Sequence, residues 1–544
     1  MSAIFTNGRF FVPQKNSAST ETPHFANSML VKRGTIIHIG DSQDVEIQTA
    51  LTEGSEIHDL GGRIVLPGIV DGHMHLMLHG QSLAKVDLGN CRSLEDIRKA
   101  LSVYCQANPN VPRILARGWQ QYTTGGSALA SMIDDIDPRS IFIDSLDAHS
   151  TWCNTLALKE LGVANMSDPA GGKIHRDSSG LPSGLLSEGA TVHIAWPFLA
   201  GSMSTADKIA TLRGAVKSYS AQGYTGVVEM AMDDNSWDAL QLLRVQEHVP
   251  LHIAAYWLIT PDVDLEACLA QVDKAIEMKK KYNVESSPDC HITGIKIVCD
   301  GVVDSCTAAL LKPYSNSHGV SPDQLMWATD ILSKVLQRAN NAGLQIALHA
   351  IGDAAIKQAV DSLEKTDSKN KRHRIEHLEL ASATDAHRLG KLGITASIQP
   401  VHSDPAGLRA WPTLLGEHRC GRAFPYTELL AGGATLALGS DSPTASHVPF
   451  NNWYSAATRR SATELEYITP EVLNSAVLPL ATAVQAATKG AAYSTFSEGR
   501  FGELESGLEA DFVVVDMAWD ADRLLESRVV QTWFGGEKVF GGSV

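Results

Sequence analysis

Eight short apolar segments follow one another through the middle of the chain, and nearly all end in His, Asp, Glu, Lys or Gln. They are VLPGIVDGHMHL, GYTGVVEM, LHIAAYWL, ITGIKIVCDG, LQIALHAIGD, HRIEHLEL, ITASIQPVH and ATLALGSDSP. Near-continuous apolar strands belong to sheets buried on both faces. Helical patterns separate several of them. Ile209, Leu212, Val216 and Tyr219 share one helical face, and Gly223 and Gly343 stand where helices close in a left-handed cap. Eight such β/α steps predict the α/β class and a (β/α)8 TIM barrel. In that architecture the C-terminal strand ends form the active-site rim.

Both termini differ from the middle. Asn7-Gly8, Arg33-Gly34 and Gly535-Gly536 each sit between apolar runs and read as hairpin turns. Residues 1–67 plus 492–544 therefore predict one small composite β-sandwich domain. The barrel takes 68–79 plus 209–491. The stretch 80–208, between the first and second strands, is too long for a βα loop and predicts an inserted cap subdomain. On this reading the 544 residues are not several consecutive domains.

Charge and composition narrow the function classes. The 45 Lys+Arg against 61 Asp+Glu leave a net charge of −16, which disfavours nucleic acid and anionic membranes as partners. No apolar run is long enough to cross a bilayer, and the N-terminus lacks a secretory pattern. Eight scattered cysteines with no C-x-x-C pair fit a reducing compartment. The expectation is a cytoplasmic protein acting on a small molecule, with a homodimer admitted. No G-x-G-x-x-G after a strand, Walker A pattern or G-x-S-x-G elbow is present.

The chemistry concentrates at the strand ends. His73 and His75 close the first strand two residues apart, so both imidazoles point to one side and can share a metal ion. His349 and His377 close strands five and six. Asp441 closes strand eight, where a carboxylate can ligate a metal and take a proton from water. Lys296 lies inside strand four, where a bare ammonium is costly to bury. A lowered pKa, reaction with carbon dioxide to a carbamate, or an outward-reaching stem would each resolve that cost.

Together these residues resemble the amidohydrolase superfamily, and more narrowly its YtcJ-like branch (amidohydrolase family 3), which includes N-substituted formamide deformylases. DAHSTWCNTLAL, GGKIHRDSSGLPSGLLSE and GLEADFVVVD are similar to further family blocks, in family order. Leu508 departs from the pattern, where relatives often carry Lys. The resemblance implies His73, His75 and Asp441 on the more buried metal, and His349 and His377 on the second. Lys296 as a carboxylysine would bridge, with Glu188 as a rival carboxylate. One or two divalent ions are implied, with zinc foremost. The implied reaction is attack of a metal-bound hydroxide on an amide-like C–N bond, with Asp441 as the proton carrier. Decarboxylation, deamination or C–C cleavage in the same barrel, and a non-catalytic regulatory role, are the alternatives. Trp119, His149, Trp152, Glu188, Gln399 and His402 are expected to line the substrate pocket, with Asp147 beside them. Asp353 is placed to orient His349, and Arg374 is placed on the His377 side of its strand.

Overall fold

A computed structural model describes residues 2–12, 23–146, 149–169, 171–315, 325–366 and 370–542; Asp147 lies outside them. The chain forms two compact units. One is Met1–Leu76, Val216–Asp238 and Arg244–Val544; the other is Met77–Ala215 and Ala239–Leu243.

The first unit contains the barrel. Its strands are β1 (Ile69–Met74), β2 (Tyr224–Met232), β3 (His252–Ile259), β4 (Cys290–Val298), β5 (Gln345–Ala350), β6 (Arg374–His377), β7 (Thr395–Ile398) and β8 (Leu436–Leu438). They pair in parallel and in sequence order, as eight β/α steps require. The seam between β8 and β1 is closed by other bonds. The Asp441 N–H donates to the His73 carbonyl at 2.7 Å, and the His75 N–H to the Ser442 carbonyl at 3.0 Å. Ser440 donates to Asp71 from both its N–H (2.8 Å) and its hydroxyl (2.6 Å). Two glycines permit this approach. A Cβ on Gly72 would lie 2.6 Å from the Leu438 oxygen, and one on Gly439 would lie 2.4 Å from the His73 nitrogen. Below the strand ends, Val70, Val228, Met230, Tyr256, Ala347 and Ala437 pack with Phe501 as an apolar core.

Both termini share one sheet in this unit. Its order is Glu537–Phe540, Arg528–Phe534, Phe512–Asp516, Ile64–Pro67, Ser2–Val12, His24–Lys32 and Thr35–Gly40, and Glu56–Asp59 also pairs with Ser2–Val12. Phe5, Phe512 and Trp533 form its aromatic centre, with ring centroids 4.8–5.4 Å apart. Arg33-Gly34 and Gly535-Gly536 are tight turns with positive φ at both positions. Asn7-Gly8 is not a hairpin. Ser2–Val12 is one continuous strand, and Asn7 (φ 53°) marks a register shift against its neighbour. The apolar run before the first histidines also divides: Ile64–Pro67 joins the terminal sheet and Ile69–Met74 the barrel.

A buried histidine clasps the barrel to the C-terminal segment. His252, 4% exposed at the start of β3, approaches Asp511 at 2.7 Å, Asp289 at 3.0 Å and Glu509 at 3.4 Å. Arg500 bonds Asp289 and Glu509, and the Phe501 ring stacks on the imidazole at 4.1 Å. Burial pulls the His252 pKa down, but the three carboxylates outweigh it and lift the value to about 9. A histidine raised this way stabilises fully below its unfolded pKa, and the gain is lost as pH rises through the folded one. From an unfolded value near 6.5, the loss reaches about 3 kcal/mol by pH ~9–10. Urea melts across that window should show this slope in the wild type and a flattened one in His252→Gln; equal slopes would refute the clasp.

The second unit is built on a six-stranded sheet ordered Gly172–Arg176, Pro182–Glu188, Ser150–Cys153, Ser140–Ser145, Arg113–Trp119 and Val86–Asp87. The helix Leu94–Ala107 begins at Ser93, whose hydroxyl accepts from the Asp96 N–H, and buries Ile97, Leu101 and Cys105. Trp119 and Trp152 lie in the same core, 1% and 0% exposed, with ring centroids 5.3 Å apart. Among the described residues, no helix is long and apolar enough to cross a membrane.

Candidate metal centre

The centre is assembled where β1, β6 and β8 end. His73 and His75 reach it from one side of β1, as their two-residue spacing dictates. The His73 Nε2 lies 3.4 Å and the His75 Nε2 3.1 Å from Asp441 Oδ1; the His377 Nδ1 lies 4.0 Å from Asp441 Oδ2. One ligand atom each from His73, His377 and Asp441 falls within 4.8 Å of the others, and all three residues are buried.

Two ligand positions depend on unusual backbone. His377 and Leu378 have φ of 75° and 56°, and Asp441 has φ of 56°. Non-glycine residues rarely occupy this left-handed region, and they persist there where surrounding structure holds them. The turn at His377 ends β6 and lets adjacent residues serve the same centre. Glu376 faces the barrel interior and receives His73 Nδ1 at 2.8 Å, while the His377 ring lies 5.0 Å from the His73 ring.

The electrostatics suit cation binding. Burial is the largest influence on His73 and, with the nearby Lys296 charge, lowers its pKa to about 4. Burial and His349 likewise hold His377 well below the usual imidazole range. Burial opposes ionisation of Asp441, but His73, His75 and His377 overcome it and keep the group well below the usual carboxylate range. Neutral imidazoles and an ionised carboxylate are the forms a divalent metal requires. The buried Nδ1 atoms of His75 and His377 have no hydrogen-bond partner among the described residues, which also fits ligation. His73, by contrast, has its second nitrogen held by Glu376, the usual way an imidazole ligand is oriented.

Lys296 sits level with Leu258 and Ala347 in β4 and is 3% exposed, so its stem does not reach outward. Burial lowers its pKa against the opposing charges of Glu376 and Asp441. The His349 Nε2 faces the Gly301 carbonyl at 3.3 Å and Asp300 at 3.5 Å, and its ring lies 4.4 Å from that of His377. Asp353 does not orient His349; its Oδ1 accepts from the Leu311 N–H at 2.8 Å. The carboxylate beside His349 is Asp300, raised by burial to about 7. Arg374 lies three positions before His377 and shares its side of β6 with Glu376, two positions on, with which it pairs.

His402 joins the centre from the turn after β7, 3.7 Å from Asp441 and 3.5 Å from Glu379. His377, Glu379 and His402 form a second donor group within 4.8 Å. Gln399, at the end of β7, is 2% exposed. Glu229, three residues before the end of β2, accepts from the Leu76 N–H and lies 4.0 Å from His75, and burial raises it to about 7. Glu229, Asp300 and Glu379 are new to the site; each was visible only as one more polar residue at a strand end. In the second unit, His149 Nδ1 meets Glu188 at 2.7 Å, with Glu188 at φ 52°. Trp119 and Trp152 are packed in that unit's core, a role that needs no ligand.

The amidohydrolase family profile matches residues 56–540. The chain belongs to the amidohydrolase family. It is 28% identical to Protein LONG AFTER FAR-RED 3 of Arabidopsis thaliana over 99% of this chain and 91% of that one. It is 26% identical to the putative amidohydrolase YtcJ of Bacillus subtilis (strain 168), covering 99% of each. With the N-substituted formamide deformylase of Arthrobacter pascens the identity is 23% over 94% of each. These place it in the YtcJ-like branch. The fold matches an uncharacterized metal-dependent hydrolase from Pyrococcus horikoshii OT3 with a TM-score of 0.74 at 23% identity, covering 95% of this chain and 98% of that one. This amidohydrolase is accordingly a hydrolytic enzyme built on an α/β barrel.

Proposed function

We propose that this amidohydrolase splits an amide-like C–N bond of a small molecule, using one or two divalent ions, zinc foremost. The observation that carries the reading is the donor group His73, His377 and Asp441, buried, within 4.8 Å and at the ends of β1, β6 and β8. The formamide deformylase relative favours an amide-like substrate. His73, His75 and Asp441 would hold one ion, and His349 and His377 would hold the second. A divalent ion in such a site lowers the pKa of water toward ~7 and polarises a carbonyl oxygen.

The chain's own residues do the rest. Glu376 fixes the His73 ring through Nδ1. Asp441 accepts the proton of the attacking water and returns it to the departing nitrogen, so that amide and water become acid and amine. Lys296 is buried, and burial lowers its pKa, which favours the neutral amine. Its nitrogen could add carbon dioxide and release a proton, giving a carbamate whose oxygens would serve as further metal ligands.

Elemental analysis after zinc reconstitution should find bound metal, and the loaded protein should convert N-substituted formamides to formate and amine. Chelation should stop turnover. A protein that retains no divalent ion after reconstitution would end this reading. Labelled carbon dioxide should give a carbamate signal in the wild type that Lys296→Ala lacks.

A further inference from the structure

Gln399 is a polar group with an incomplete account. Its carboxamide oxygen and nitrogen are both buried, and neither has a hydrogen-bond partner among the described residues. Leaving a buried polar atom unpaired costs about 1–3 kcal/mol, and a native structure rarely tolerates it without a reason. The position supplies one. Ser397 faces the barrel interior, where its hydroxyl accepts from Arg374 at 2.8 Å. Gln399 stands two residues further on, in extended backbone just past the end of β7, and opens the turn that carries His402 to the centre. It follows Ile398, whose carbonyl accepts from the Gly439 N–H at 3.0 Å, two residues before Asp441. Two bonds hold the backbone beside Gln399: its carbonyl accepts from the His402 N–H at 2.9 Å, and the Val401 N–H donates to Asn452 at 2.9 Å. A rigid strand end thus presents one acceptor and one donor beside the metal centre.

We infer that Gln399 reads an amide edge on the substrate, with Oε1 accepting from a substrate N–H and Nε2 donating to a substrate carbonyl. This rests on the proposed amide hydrolysis and narrows it. A side-chain amide pairs through both atoms only with a group whose N–H and C=O lie on one side. Primary amides, ureas and cyclic amides have that edge, and N-substituted formamides present it in the rotamer that turns N–H to the carbonyl side; esters and ketones do not. A site built to hydrogen-bond such a group rejects the analogue lacking it, because its own polar atoms are then left unpaired.

The test uses zinc-loaded full-length protein and two probes, pyrrolidinone and N-methylpyrrolidinone, which differ in the N–H. Calorimetry should show pyrrolidinone binding about tenfold more tightly to the wild type, the effect of one hydrogen bond. Gln399→Met, near-isosteric and without the amide, should erase the preference. The same variant should melt at or above the wild-type temperature without ligand, since an unpaired polar group is replaced by an apolar one. Equal binding of the two probes by the wild type would overturn the inference, as would a preference that survives in Gln399→Met. A melting temperature lowered by several degrees would mark Gln399 as a structural residue and overturn it as well. Because binding is the readout, failure to hydrolyse formamides would strike the proposed reaction and leave this result standing.

Discussion

Asp441→Asn is expected to reduce turnover of the zinc-loaded enzyme by about 10²–10⁴-fold, the range for loss of a positioned acid–base group. Asp441 is the convergence point of the site. Its two oxygens lie 3.1 Å from His75, 3.4 Å from His73, 3.7 Å from His402 and 4.0 Å from His377. Asparagine keeps the shape and the backbone bond from position 441 to the His73 carbonyl. It removes the charge and the ability to take a proton. Near wild-type stability with lost turnover is the expected pattern. Metal analysis of the variant separates the two roles: retained metal with lost turnover assigns the proton transfer, and lost metal assigns ligation. Turnover within a few-fold of wild type would remove Asp441 from both.

The parts of this site that were legible in the sequence are those that follow from strand period and strand order. His73 and His75 share a side because they are two apart, and His349, His377 and Asp441 close apolar runs whose succession predicts a barrel. The parts that were not legible arise where the backbone leaves the regular strand. Alternation alone separates Glu376 from His377; positive φ at His377 and Leu378 brings both to one centre. No residue type announced that turn, since histidine and leucine are not turn formers. Asn7-Gly8 shows the converse, a strong turn signal absorbed as a register shift because the strand on either side continues to pair. Trp119 and Trp152 illustrate a third limit. Composition marks large aromatics as pocket material or core material alike, and packing against Ile97, Leu101 and Ile143 makes them core.

Removing the Arg374 guanidinium while leaving Glu376 should be among the most destabilising single changes in the barrel. Both side chains are 0% exposed. Arg374 bonds Glu376 at 2.8 and 3.0 Å, the Gly72 carbonyl at 2.6 Å, Ser397 at 2.8 Å and Ser494 at 2.9 Å. It therefore ties β6 to β1, to β7 and to the segment below the barrel. Burial opposes the charge on Glu376, and Arg374 and His73 together keep its carboxyl well below the usual range. Arg374→Met strands that charge, and breaking one partner of a buried pair costs about 3–5 kcal/mol. Glu376→Gln in the same chain removes the stranded charge, so the double variant should recover part of the loss. It should not recover activity, because the glutamine oxygen accepts from His73 Nδ1 without the negative charge that strengthens the bond and raises the basicity of the ring. Urea melts of the two single variants and the double one close the cycle. A cost below about 1 kcal/mol for Arg374→Met, or no coupling between the two positions, would show that the pair does not hold the barrel together and that His73 is oriented by something else.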